Sequence, residues 1–132
     1  MKRHKSRNGF TLVEMTVVIM VMMTLLGTGL YVSKQYSNWQ LGRSAAESLR
    51  TAYAAQRMYL ADNPTAVVAN ITAAQIIPYL PNRATALPSV TSLTGASLTI
   101  RVNATPPNVN DGSGGVYDPS SSTTDSMWDV GQ

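Results

Sequence analysis

Glu14 is the residue best placed to do specific chemistry, because it is the one acidic residue in a long apolar run. A carboxylate at the middle of a membrane costs about 2.5–3.5 kcal/mol on insertion scales, and less near an interface. A cationic partner offsets that cost, and so does protonation of the carboxyl group in lipid. The sequence therefore predicts that Glu14 pairs with a positive charge, with simple protonation as the alternative.

Residue types that carry catalysis are sparse. The only histidine is His4, close to the N-terminus, and the absence of cysteine excludes a disulfide and a thiolate metal site. The serines of the tail have no plausible base to activate them. No P-loop occurs, so any ATP hydrolysis belongs to another protein. The sequence argues against an enzyme.

Aspartates recur in the C-terminal tail, and their oxygens suit calcium, a hard cation with about six to eight oxygen ligands. Asp111, Asp118 and Asp125 are the candidate calcium ligands. Their spacing does not match the EF-hand pattern, and Asp-Gly and Asp-Pro pairs also form ordinary turns. Two interpretations stay open: no cofactor, or calcium in the tail.

The positive charge of the chain is concentrated in residues 1–9. The net charge is +3, but four of the ten lysines and arginines lie there, and from Phe10 onward six basic residues stand against seven acidic ones. Nucleic-acid binding needs clustered Lys and Arg. Direct binding of nucleic acid is therefore not expected.

Residues 10–32 are apolar apart from threonines, glycines and Glu14. As a helix, this run would measure about 34 Å, enough to cross a hydrocarbon core of about 30 Å. The cationic residues before it place the N-terminus in the cytoplasm by the positive-inside rule. An ordinary secretory signal is the alternative, although its apolar region is shorter, about 7–15 residues, and holds no carboxylate.

The apolar run is predicted to continue as an amphipathic helix over residues 33–62. No proline interrupts residues 10–63, and Pro64 then ends the helix. An inward-facing stripe recurs at spacings of three and four. Its members are Ala46, Leu49, Tyr53, Gln56 and Leu60.

Residues 63–132 are predicted to form a small globular domain. Thr72 and Gln75 have the spacing of a capping box before a short helix. Alternation predicts a strand over residues 96–102 and a weaker one over residues 86–93. Turn residues after these predict a C-terminal hairpin or ordered loop. The expected fold class is α+β, with a long N-terminal helix packed on a small antiparallel β-sheet.

A short stretch at the start of the apolar run resembles the class III signal of type IV pilins and type II secretion pseudopilins: Arg7-Asn8-Gly9-Phe10-Thr11-Leu12-Val13-Glu14. The resemblance is close over residues 5–32 and loose afterwards. It implies that residues 1–9 are a leader cut off after Gly9 by a membrane prepilin peptidase. It also implies that Phe10, the new N-terminal residue, is N-methylated.

The resemblance assigns Glu14 a partner, the N-terminal amine of Phe10 in a neighbouring subunit, so that the pair sets the axial register between helices. The amine of the same chain is the alternative, because Phe10 lies one helical turn away. The implied partners are other pilins or pseudopilins in a homo- or hetero-polymer, and an inner-membrane assembly platform with a separate ATPase.

The sequence departs from the pilin pattern near Tyr31, where many pilins have a helix-breaking proline. Gly27 and Gly29 either soften the helix there, at about 1 kcal/mol each relative to alanine, or allow close helix contact. Tyr31, Tyr36 and Trp39 are typical of an aromatic belt at a membrane interface.

The first functional hypothesis is a filament subunit of a type IV pilus, a type II secretion pseudopilus or a DNA-uptake pseudopilus. Such a subunit resides in the bacterial inner membrane with its N-terminus in the cytoplasm, then in a periplasmic or extracellular filament. A single-pass, membrane-anchored binding domain that does not polymerise is the alternative. A secreted protein that loses residues 10–32 is a third hypothesis.

Overall fold

The computed structural model describes residues 9–131, and one helix dominates it. Helix α1 covers Leu12–Asp62 and the short helix α2 covers Ala73–Ile76. Single 3-10 turns occupy Val68–Asn70, Ile77–Tyr79 and Pro81–Arg83. The strands are β1 (Val90–Thr91), β2 (Ser97–Leu98), β3 (Ile100–Arg101) and β4 (Asn108–Val109). The predicted α+β class with a long N-terminal helix is confirmed.

The chain divides into two compact units, one ending at Tyr36 and the other beginning at Ser37. In the first unit, the threonine hydroxyls are satisfied inside the helix. Thr16 donates to the Val13 carbonyl and Thr24 to the Val21 carbonyl, each at 2.7 Å. Because these hydroxyls bond to the backbone, the threonines do not prevent the helix from presenting an apolar surface.

In the second unit, one face of α1 forms part of the hydrophobic core. Leu49 and Ala52 on this face have no solvent exposure. Buried residues from the rest of the domain complete the cluster: Ile71, Ile76, Leu80, Val90, Ile100, Val102, Val109, Trp128 and Val130. The predicted inward stripe is confirmed at Leu49 and Gln56, which are buried, while Tyr53 is half-buried at its edge.

The β structure consists of two separate two-stranded antiparallel sheets. Val90 lies opposite Leu98 in the first sheet, and Ile100 lies opposite Val109 in the second. The single strand predicted over residues 96–102 is therefore wrong, because the chain changes partner at Thr99. Alternation could not reveal this break, since side chains keep the same period of two on both sides of it.

The other predicted elements of this domain are confirmed in shorter form. Of residues 86–93, the strand covers only Val90–Thr91. The Thr72 amide donates to Gln75 Oε1 at 2.9 Å, as the capping box requires. A bridge between Asn110 and Val116 closes an ordered loop in the tail.

Gln56 ties the segment after β3 to α1. Its fully buried side chain donates through Nε2 to the Val102 carbonyl at 2.7 Å and to the Ala104 carbonyl at 2.8 Å. The Thr105 hydroxyl donates to Gln56 Oε1 at 3.3 Å. Both ends of the amide therefore have hydrogen-bond partners, so this polar side chain can be buried without a large desolvation cost.

The C-terminal segment contacts α1 at Gly42 and Arg50. The Trp128 amide donates to the Gly42 carbonyl at 3.2 Å, and Arg50 Nε donates to the Val130 carbonyl at 2.9 Å. A Cβ atom on Gly42 would lie 3.0 Å from Trp128 Nε1 and 3.1 Å from Met127 Cβ. The missing side chain of Gly42 is therefore what lets the tail approach this closely.

Candidate functional site

The predicted cleavage junction, Gly9–Phe10, is exposed and precedes the helix. Both residues are exposed, with 76% of Phe10 accessible to solvent, and α1 begins two residues later at Leu12. A Cβ atom on Gly9 would meet nothing within 4 Å. A protease would therefore reach this peptide bond without unwinding a helix. The leader residues 1–8 lie outside the described part of the chain.

Thr11 and Glu14 form a capping box at the start of α1. The Glu14 amide donates to Thr11 Oγ1 at 3.2 Å, and the Thr11 amide donates to Glu14 Oε2 at 3.4 Å. These bonds satisfy two amides that have no partner in the helical ladder. The role of Thr11 was missed in the sequence analysis, although the spacing Thr-x-x-Glu was the signal for it.

Glu14 is exposed, and among residues 9–131 it makes no ion pair. The amine that the resemblance assigns to it exists only after cleavage, because in the uncut chain the nitrogen of Phe10 belongs to a peptide bond. The pairing with Phe10 therefore stays a prediction. The geometry adds that the carboxylate lies at the N-terminal end of α1, where the helix dipole favours a negative charge.

The apolar part of α1 has no protein partner within its own chain. Its large side chains are more than two-fifths exposed, and most are more than half exposed: Leu12, Val13, Met15, Val17, Val18, Ile19, Met20, Val21, Met22, Met23, Leu25, Leu26 and Leu30. A soluble monomer does not expose so large an apolar surface. This surface therefore requires lipid or other protein chains around it.

Helix α1 is long and apolar enough to cross a membrane, and within residues 9–131 it is the one helix that passes this test. A signal sequence near an N-terminus passes the same test. The helix runs without a break past Gly27 and Gly29, where an added Cβ atom would meet nothing within 4 Å. Both roles predicted for these glycines, softening and close helix contact, stay predictions.

Of the three predicted calcium ligands, Asp111 is committed to its own loop. Asp111 Oδ1 accepts from the amides of Ser113 and Gly115 at 2.8 and 2.9 Å, and Asp111 Oδ2 accepts from the Ser113 hydroxyl at 2.8 Å. The Ser113 bonds are the main reason that the pKa of Asp111 is lowered. With both oxygens occupied, this carboxylate does not fit the role of a calcium ligand.

Asp118 and Asp125 also accept hydrogen bonds from the residues that follow them. Asp118 Oδ1 accepts from the Ser120 hydroxyl at 2.6 Å, and Asp125 Oδ1 accepts from the Met127 amide at 2.9 Å. In the described part of the chain, no group of three His, Cys, Asp or Glu residues has a geometry that could hold a metal ion. The described residues therefore do not bring the three predicted ligands together as a calcium site.

Comparison with known proteins adds one finding. The family model described as the prokaryotic N-terminal methylation motif matches residues 4–30. No curated protein and no solved structure matches the chain. The match covers residues 4–9 of the predicted leader, the Gly9–Phe10 junction and most of the apolar run, which are the features that the sequence singled out, and it also covers the capping box. The chain therefore carries the class III signal of a type IV pilin-like prepilin.

Proposed function

We propose that this protein is a structural subunit of a type IV pilus-like or type II secretion filament. The observation that carries the proposal is the exposed Gly9–Phe10 junction directly before a helix that is apolar on all sides. Cleavage there removes four of the ten lysines and arginines, and with them the charged anchor at the cytoplasmic face. The mature chain then begins directly with the apolar run of the helix.

Maturation by a prepilin peptidase follows from the class III signal. The enzyme cuts after Gly9, and Phe10 is then N-methylated. The cut creates an ammonium group four residues before Glu14. An ammonium and a carboxylate attract strongly where water is excluded, so the new charge favours contact with a carboxylate in the apolar layer.

Assembly transfers the apolar helix from lipid to other copies of itself. The aliphatic side chains of residues 12–30 are equally stable in either surrounding, so the transfer exposes no apolar surface to water. Packing of such a surface is not specific along the helix axis. The pairing of Glu14 with the Phe10 amine of a neighbouring subunit fixes this register. An inner-membrane platform and a separate ATPase would drive the transfer.

A membrane-anchored binding domain that does not polymerise is the second candidate. The same exposed apolar helix favours it, because a plain anchor needs an apolar surface of the same length. It gives no reason for a glycine and a phenylalanine at the junction, or for a carboxylate in the apolar run. These features favour the filament.

The proposal is tested by expressing the full chain with and without a prepilin peptidase in cells that hold the assembly platform. Surface or periplasmic filaments are then isolated by shearing and probed with an antibody to the domain. We expect filaments containing the shortened chain only when the peptidase is present. A chain that is cut but stays monomeric in the membrane would support the anchored domain instead.

A further inference from the structure

The second unit contains a cavity of about 480 Å³ beside its C-terminal segment. Part of its lining is apolar and includes Pro106, Val116 and Trp128. Val116 is 56% exposed, although it lies in a folded domain with a well-formed core. The polar lining includes Asn108 and Asp129. The cavity thus combines apolar walls with groups that accept hydrogen bonds.

Three buried oxygens on residues that line the cavity have no hydrogen-bond partner: Asn108 Oδ1 and both carboxylate oxygens of Asp129. Burial is the main reason that the pKa of Asp129 is raised, and the charges of Asp125 and Asp118 raise it further. The Gly131 amide opposes this shift, but it does not come within hydrogen-bond geometry of Asp129. Buried acceptors without donors are costly and uncommon in folded proteins.

The chemistry of the cavity fits a basic side chain. Lysine and arginine combine an apolar stem, which would pack on Pro106 and Trp128, with a cationic head that only donates hydrogen bonds. A metal ion would also match the acceptors, but no three metal-binding side chains of residues 9–131 come together suitably. The cavity therefore favours a guanidinium or ammonium group over a metal.

Most basic side chains of the described chain already have a partner. Arg43 and Arg57 lie over the rings of Trp39 and Tyr53, at 5.6 and 5.8 Å from the centroids. The remaining partnered residues are Arg50, bonded to the Val130 carbonyl, and Arg101, bonded to Asn110 and Gly114. Lys34 lies in the first unit, just after the apolar run, where lipid headgroups supply anions.

Arg83 is the basic residue of the second unit that has no such partner. It is exposed, and within residues 9–131 its guanidinium makes no hydrogen bond or ion pair. The backbone of Asn82 and of Arg83 adopts the left-handed conformation, with φ of +61° and +53°. Two consecutive residues with positive φ form a strained turn, because neither residue is glycine. The turn presents Arg83 at the surface.

We infer that Arg83 of one subunit enters the Asp129 cavity of the next subunit in the filament. The inference rests on the proposed function. Donor and acceptor lie on different parts of one domain, so each copy can donate to one neighbour and accept from another, and in a helical filament this contact repeats without closing. That is the kind of contact a helical filament needs. Because the Asp129 oxygens are buried, docking includes a small displacement of the side chains around them. Thr123 and Thr124 line the cavity and are exposed, so they mark its accessible side.

Cysteine cross-linking in filaments tests this contact, since the natural chain has no cysteine to interfere. The full chain carries Thr85→Cys, an exposed position two residues from Arg83, together with Thr124→Cys, so that Arg83 itself stays in place. It is treated with a short thiol–thiol cross-linker after filament assembly. We expect a ladder of dimers, trimers and longer products. Each single variant should give none. Thr85→Cys with Ser113→Cys, an exposed residue that does not line the cavity, is the matched control.

Adding Asp129→Asn or Arg83→Ala to the double-cysteine chain tests the charge, and we expect either change to lower the yield of cross-linked products at least several-fold. Arg83→Lys retains the positive charge, so it should retain the ladder. Filaments that form normally but show no ladder would overturn the inference and leave the proposed function standing. Calcium binding by the wild-type chain that Asp129→Asn abolishes would assign the cavity to a metal and also overturn it. Failure of the wild-type chain to form filaments would instead count against the proposed function.

Discussion

Thr11 and Glu14 close the first turn of helix α1 through reciprocal hydrogen bonds, at 3.2 Å and 3.4 Å. Glu14 therefore has two possible contributions to assembly. It caps its own helix, and after cleavage its charge is available to the amine of Phe10. The two contributions respond differently to substitution, so they can be separated.

Glu14→Gln separates charge from capping, because glutamine at this position retains the capping box but carries no charge. If charge pairing sets the register, Glu14→Gln and Glu14→Ala should both be cleaved normally, and both should lose most of their filament yield. Thr11→Ala should cost about 1 kcal/mol of helix stability and retain the charge, so its filaments should largely persist. The measurement is the amount of sheared filament per cell.

Wild-type filament yield from Glu14→Gln, together with a loss in Thr11→Ala, would show that capping is the essential function of this turn. The control for all three variants is the extent of cleavage on a gel. That control is needed because a variant that is not cleaved would fail to assemble whatever its charge or its capping box.

Gly42→Ala should destabilise the second unit. The new methyl group would meet Trp128 Nε1 at 3.0 Å, and Trp128 cannot easily retreat because it is buried and packs edge-to-face on Tyr117. Overpacking of this kind costs about 1–3 kcal/mol, against a gain of up to about 1 kcal/mol in helix propensity. Thermal unfolding in detergent, followed by tryptophan fluorescence, measures the difference.

Gly29→Ala is the matched control, because the same methyl group there would meet nothing within 4 Å. It should leave the unfolding temperature of the second unit unchanged. Equal unfolding temperatures for Gly42→Ala and the wild type would contradict the tight contact between the tail and α1.

The long helix could be predicted from the sequence because periodicity and the absence of proline report directly on local structure. Its inward stripe at Leu49 and Gln56 was also visible. The partners of Gln56 were not, because they come from a segment more than forty positions later whose carbonyls carry no side-chain signal. The break at Thr99 stayed hidden for a similar reason, since strand pairing is a long-range property.

Gln56→Ala should lower the free energy of unfolding by about 2–4 kcal/mol, because the Val102 and Ala104 carbonyls lose their donor in a buried site. Gln40→Ala, on the exposed face of the same helix, is the control and should change stability by less than about 0.5 kcal/mol. Chemical denaturation of the two variants side by side gives the comparison. Similar losses in both would show that the amide network contributes nothing.

Asp129 should make stability depend on pH in an unusual direction. Its pKa is raised in the folded state, chiefly by burial, so the folded chain holds the proton more tightly than the unfolded chain. Stability from this group is present at low pH and is lost as pH rises through the folded pKa. Asp129→Asn removes this loss, and its amide can donate to the neighbouring carboxylates. We therefore expect the variant to unfold at a higher temperature than the wild type at neutral pH.

The wild type and Asp129→Asn should converge as pH falls below the usual pKa of an aspartate. A variant that is less stable than the wild type at neutral pH would mean that the carboxylate has a donor in solution. The unfavourable carboxylate fits a residue kept for contact with another subunit, since binding sites often reduce the stability of the isolated chain.

The functional junction could be predicted from sequence because its parts are consecutive in the chain, from Gly9 to Glu14. The tail could not. Asp111, Asp118 and Asp125 resemble one another in sequence, but the structure commits Asp111 to Ser113 and Gly115. Asp129, which was not among the three predicted calcium ligands, is the carboxylate left without a donor. Only the fold distinguishes an aspartate that closes a turn from one that lines a cavity.

The intact mass of the protein isolated from its native membrane or filament tests the central claim most directly. We expect a mass that is lower than that of the uncut chain by residues 1–9 and higher by one methyl group, with fragmentation placing that methyl group on the nitrogen of Phe10. Gly9→Val should keep the full-length mass. A native chain that begins at any residue other than Phe10 would contradict the account.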